Sequence, residues 1–165
     1  PCDVVMSAQA WHWVDPVRGA QVAAAALRPG GRWIAVWNHV VDADVDQVVR
    51  SVYERIAPQL IDDRPASYAG DPAFRDRIEH GLAATQCFDP MSVDRVEWVD
   101  RLTGGRLAER LAGHSAYLSL DVAVRRRVLA ALVDELGEHR EIDVAYVTEV
   151  FAAVRADRRP DGTLT

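Results

Sequence analysis

A histidine set between two tryptophans, Trp11-His12-Trp13, is the most chemically loaded stretch of this sequence. An imidazole titrates near neutral pH, which suits His12 to taking a proton from a reacting group. The plainer alternative is a ring that packs on Trp13 and orients its loop, and both readings stand. The flanking indoles offer an apolar wall for a ligand or a face for a cation. One of Trp11 and Trp13 is expected in the core instead. Asn38, next to His39, is a second polar group of interest, either touching a ligand or forming a turn. Trp33, Trp98 and Phe151 are assigned to packing. The two cysteines, Cys2 and Cys87, lack the spacing of a disulfide framework or a zinc site, so no metal is expected.

Elements must exist to position these groups, and the first of them read clearly. Cys2 to Ser7 is an apolar run suited to a strand buried on both faces. Asp15 and Pro16 then supply an N-cap and a first helical residue for a helix stopped by Pro29. Gly30 and Gly31 turn the chain into a second strand, Arg32 to Trp37. This strand, helix and strand make one right-handed βαβ unit with parallel strands. Open α/β sheets bind ligands beyond the carboxyl ends of their strands. Ser7, Ala8 and Gln9 lie there, unless they are only an ordinary connecting loop.

Beyond this unit the pattern predicts a long helix from Asp42 to Leu60 and a polar loop from Ile61 to Gly70. A helix opened by the Asp71-Pro72 pair follows. Next come a strand from Met91 to Trp98, a short helix capped by Thr103 and ending at Gly113, and a helix from Asp121 to Leu136. The strongest strand signal of the chain is Ile142 to Arg155. Residues 157–165 read as a polar tail, leaving 1–156 as one domain.

Composition narrows the function classes. The chain has 165 residues, 49% of them hydrophobic, with a net charge of −6, which suits a globular domain with its own core. All of the basic residues are arginines, and the acidic balance argues against tight binding to nucleic acid. The longest apolar run, Val22 to Leu27, is too short to span a bilayer, and nothing resembles a secretion signal. The reading is a cytoplasmic protein without a membrane partner. Its oligomeric state is left open.

Two strings at a fixed distance then carry a family resemblance: DVVMSAQAWHWVDP and, a helix later, LRPGGRWIAVWN. Together they resemble the fourth-to-fifth strand region of class I S-adenosylmethionine-dependent methyltransferases, in the group of trans-aconitate methyltransferase-like enzymes. Asp3, Val5, Ala8, His12, Trp13, Asp15, Leu27, Pro29, Gly30 and Gly31 fall on the group's pattern. The stretches GHSAYLSL and VAYVTEVFAAV resemble its C-terminal segment more loosely.

The resemblance implies an α/β, Rossmann-like sheet containing strands four to six and an antiparallel seventh. Helices would lie on both faces, with a helical acceptor-side insertion at about 42–84. It implies S-adenosylmethionine as cofactor; by their place at the strand end, Ser7, Ala8 and Gln9 would then line its methionine end and His12 would be the catalytic base. Trp11, Trp13 and Asn38 would meet the acceptor. Ser115 and Tyr117 lie in the segment that folds over the acceptor, although surface hydroxyls are the plainer reading.

The family's glycine-rich loop and ribose-binding acid are not found. Gly104-Gly105 lacks the required spacing and reads as a helix start. The chain is therefore expected to be the C-terminal half of a longer enzyme, with three βα units of roughly 30 residues each lying upstream. The function expected is methyl transfer to a small molecule. A non-catalytic α/β module that binds a partner is the alternative. A nicotinamide-dependent Rossmann enzyme is weaker, since there is no lysine for a Tyr-Lys pair.

Overall fold

The computed structural model describes residues 1–62 and 70–157. It is a mixed α/β structure with an open four-stranded sheet in the order β1-β2-β4-β3. The strands are β1 (Cys2–Ala8), β2 (Leu27–Val40), β3 (Ser92–Thr103) and β4 (Glu141–Val154). The helices are α1 (Pro16–Ala26), α2 (Ala43–Ile56), α3 (Gln59–Asp62), α4 (Pro72–Ala84), α5 (Gly104–Ala112), α6 (Ser115–Leu118) and α7 (Val122–Leu136). Among the described residues, 1–39, 70–96 and 147–157 form one compact unit, and 40–62 with 97–146 form a second.

In the first unit the βαβ expectation holds. Asp15 caps α1 by accepting from the Arg18 N–H at 2.8 Å, with Pro16 at the first helical position. Gly30 turns the chain with a φ of +74°, a left-handed conformation that favours glycine. β2 then pairs in parallel with β1, from Val4 opposite Arg32 to Ala8 opposite Val36. The two-residue period of β2 sends Gly31, Trp33, Ala35, Trp37 and His39 to a buried face. Trp33 meets Trp11 edge-on at 4.9 Å, and Trp37 meets Phe74 of α4 and Phe151 of β4 at 4.9 and 5.4 Å. These T-shaped contacts suit the aromatic quadrupoles. The packing assigned to Trp33 and Phe151 is found.

β4 is antiparallel to β2: the Gly30 N–H donates to Arg155 O, while Asn38 pairs with Thr148. It is also antiparallel to β3, since the Asp89 N–H reaches Val154 O and Arg95 reaches Glu149.

The second unit is built on helices. α2, α5 and α7 bury Val45, Val49, Val52, Leu107, Val128 and Leu132 as one apolar cluster, together with Val144 of β4. Thr103 caps α5 by accepting the Arg106 N–H, and Asp121 caps α7 through the Ala123 N–H. Gly104 opens α5, as read from sequence. Trp98, assigned to packing, stacks nearly flat on Tyr146 at 4.5 Å.

Three expectations about elements need correction. β1 is not buried on both faces: it is an edge strand whose Val4 and Met6 are 47% and 62% exposed. The long helix to Leu60 is broken, because Pro58 lacks an N–H and disfavours helical geometry at Ala57, so α2 ends at Ile56. The strand read as Met91 to Trp98 runs on to Thr103, where polar residues alternate on its exposed side. Most of the loop read at 61–70 and nearly all of the tail at 157–165 lie outside the described residues.

Candidate functional site

The loop that leaves β1 is fastened to the carboxyl end of β2. Gln9 takes a left-handed φ of +53°, donates its N–H to Val36 O at 2.8 Å, and donates its side-chain amide to Asn38 O at 3.1 Å. One 3₁₀ turn follows over Trp11–Trp13. It buries Trp11 and leaves Trp13 71% exposed, so one indole is core and the other is surface. Ala8 and Gln9 are exposed at the strand end, and Ser7 is half-buried.

His12 lies against Trp13, with ring centroids 4.8 Å apart, and accepts the indole N–H of Trp37 on Nδ1 at 3.3 Å. Burial, then the nearby Arg77 charge, holds its pKa below the ordinary histidine value, so it is neutral at pH 7. A neutral imidazole has one lone pair. Here Trp37 occupies it, and the other ring nitrogen carries the proton. His12 can therefore accept a substrate proton only by giving up the Trp37 bond.

Asn38 comes to the same end of the first unit as His12, but on the opposite face of β2. The strand period puts Trp37 on the buried side and Asn38 on the exposed side, where its Oδ1 accepts from the Thr148 hydroxyl at 2.7 Å. His12 and Asn38 thus share a strand end but lie on its two faces. Tyr117 belongs to the second unit. It is buried rather than a surface hydroxyl, and its O–H donates to the Arg125 carbonyl. The Ser115 side chain lies outside the described residues.

Sequence reasoning missed a buried polar cluster on the Trp37 side of the first unit. Glu149 of β4 is only 3% exposed. Its Oε1 accepts the Gly70 N–H at 3.0 Å and an Arg95 N–H at 3.1 Å. Its Oε2 sits 3.4 Å from His39 Nε2, and neither of these two atoms has a hydrogen-bond partner. Burial lowers the His39 pKa; the neighbouring Glu149 charge opposes this and Arg95 reinforces it. A neutral imidazole thus faces the Glu149 carboxyl group. The available signal was a glutamate on the apolar phase of a strand, between Val147 and Phe151.

Among the described residues no group of three or more His, Cys, Asp or Glu is placed to hold a metal, and no helix is long and apolar enough to cross a membrane.

No family model matches the chain. Uncharacterized methyltransferases of Mycobacterium tuberculosis and Mycobacterium bovis are each 34% identical to it over 137 residues, covering 83% of this chain and 49% of theirs. The chain spans about half the length of the curated relatives it matches. A solved structure described as a type II methyltransferase from Anaeromyxobacter dehalogenans is 26% identical, with a TM-score of 0.50 over 91% of this chain and 63% of that one. With a parallel β1–β2 pair, a reversed β4 and these likenesses in hand, the chain has a methyltransferase fold.

Proposed function

We propose that this chain is the C-terminal half of an S-adenosylmethionine-dependent methyltransferase acting on a small molecule. The observation that carries the reading is the loop after β1, fastened by Gln9 and His12 to the carboxyl end of the parallel strand β2. That is where an open α/β sheet receives its ligands. The helical segment at about 42–84 would then serve the acceptor side of this one domain. Small-molecule acceptors fit the acidic composition better than nucleic acid does.

S-adenosylmethionine supplies an activated methyl group for in-line displacement. The protein's part is to align the acceptor, exclude water and handle a proton. Exposed Ala8 and Gln9, with half-buried Ser7, fit one wall of a cofactor site; the glycine-rich loop that would hold its other side is not in this sequence. The Gln9 side chain is turned onto Asn38 O and its N–H onto Val36 O, so Gln9 fixes the loop. Exposed Trp13 offers an indole face to the acceptor, while Trp11 packs on Trp33 in the core. His12 stands as a neutral imidazole held by Trp37. Asn38 acts through Thr148 on the other face, and Tyr117 through the packing of its own unit.

Calorimetric titration of the intact gene product with S-adenosylhomocysteine tests the reading. Heat of binding supports it, and no binding favours a non-catalytic partner-binding module. The His12→Gln variant then sharpens the site. As general base, His12 would account for roughly 10²–10⁴-fold in kcat, and its loss would flatten the acid limb of the pH–rate profile. As a loop anchor its loss would cost about 10-fold or less, with the profile unchanged.

A further inference from the structure

The polar cluster missed by sequence borders a cavity of about 340 Å³ within the first unit. Its apolar walls are Pro72, Val93 and Phe151, and its charged lining includes Arg75, Arg95 and Glu149. Arg95 is not an ordinary surface arginine. Its Nη1 donates to a carboxylate that is itself 96% buried, and the same Glu149 oxygen is pinned by the Gly70 N–H. Gly70 makes room for the guanidinium: a Cβ there would lie 2.9 Å from Arg95 Nη1, on a φ of +75° that already disfavours any side chain. His39 closes the cluster from behind, 3.4 Å from the other Glu149 oxygen.

A guanidinium carries several N–H donors, and the bond to Glu149 uses one of them. Arg95 is thus a positioned cation, half-exposed toward a cavity. Arg75, from the first turn of α4, also lines it and is held only loosely by Glu79 at 4.0 Å. Each acidic group of the same lining has one oxygen engaged. Asp71 accepts the Ala73 N–H at 3.0 Å to cap α4, and Glu149 holds Arg95 and Gly70.

We propose that this cavity is the acceptor subsite and that Arg95 and Arg75 bind a carboxylate group of the acceptor there, with Glu149 as the residue that positions Arg95. A guanidinium presents parallel N–H donors that match the planar geometry of a carboxylate. Asp71 and Glu149 balance the two arginines of the lining, so an anion is held by the unused guanidinium donors, and each further negative charge meets the two acids, which disfavours a doubly charged phosphate relative to a carboxylate. The term acceptor rests on the methyl-transfer reading; anion binding at this cavity stands on the cavity alone.

The experiment titrates the intact protein with acetate and, separately, with inorganic phosphate at constant ionic strength, following the Gly70 amide resonance by NMR. A saturable shift with acetate is expected, weakened at least tenfold in Arg95→Gln and several-fold in Arg75→Gln. The exposed-face control Arg126→Gln is expected to bind as the parent does. Glu149→Gln should weaken binding less than Arg95→Gln; should that variant fail to fold, the two arginine variants still decide the matter. No acetate response, an equal response in Arg95→Gln, an equal loss in Arg126→Gln, or a response to phosphate alone each overturns the proposal. S-adenosylhomocysteine binding is measured on the same samples. Its retention without an acetate response sinks only this inference, whereas its absence sinks the methyl-transfer reading.

Discussion

The two compact units solve the problem of a buried core in different ways. The second unit has an apolar centre, and the buried Tyr117 hydroxyl there has a backbone acceptor. The first unit buries charged and polar groups beside its aromatics. Among the described residues, the buried side-chain atoms without a hydrogen-bond partner, Trp33 Nε1, His39 Nε2 and Glu149 Oε2, all belong to it. Leaving such an atom unpaired costs about 1–3 kcal/mol. A fold that carries this cost in one unit and not in the other has kept groups there for something besides stability. The contrast separates a unit packed for cohesion from a unit shaped around polar groups.

The largest effect should come from cutting the aromatic centre of the first unit. Trp37→Ala removes the edge-on contacts to Phe74 and Phe151 together with the hydrogen bond to His12, and should cost about 3–5 kcal/mol in denaturant unfolding. It should also abolish S-adenosylhomocysteine binding. Leu132→Ala in the second unit should cost a comparable ~2–5 kcal/mol. If the units divide the work as proposed, binding should survive it under conditions where the variant stays folded.

Next comes the buried pair. Glu149→Leu removes the acceptor of the Gly70 N–H and of the half-exposed Arg95, and should destabilise by about 1–3 kcal/mol. His39→Leu removes a ring nitrogen that faces Glu149 Oε2 without a hydrogen bond, and should change stability by only about 1 kcal/mol in either direction. It should also blunt acid sensitivity. His39 and His12 both have folded pKa values lowered from 6.5, chiefly by burial. The unfolded chain therefore binds protons that the folded chain refuses. Stability is fully present above the unfolded histidine pKa and falls as the pH drops below it. Unfolding midpoints measured between neutral and mildly acid pH should fall in the parent and fall less in His39→Leu. The smallest effect is local: Thr103→Ala, which removes the α5 cap, should cost about 1 kcal/mol and leave ligand binding alone.

Local chemistry made much of the fold readable from sequence. Asp15, Asp71, Thr103 and Asp121 announce helix starts because their caps act within a few residues, and each is found accepting the expected backbone N–H. The β1–α1–β2 unit follows from the same short-range signals. What failed depended on partners far along the chain. Glu149 looks like a stray charge in an apolar strand until Arg95, Gly70 and His39 are placed around it. The opposite facing of His12 and Asn38 turns on strand phase at the last residues of β2, where a shift of one position exchanges the faces. The break at Pro58 was readable from the residue itself and was overridden by the apolar spacing on either side.

The bare side of β1 bears on how the chain behaves in bulk solution. Val4 and Met6 stand open on a strand at the sheet margin, and such a strand is a template for pairing with another copy. Expressed by itself, the polypeptide should self-associate as its concentration rises, with light scattering growing over hours. A lysine at position 4 or 6 should slow that growth by placing repelling charge along the seam.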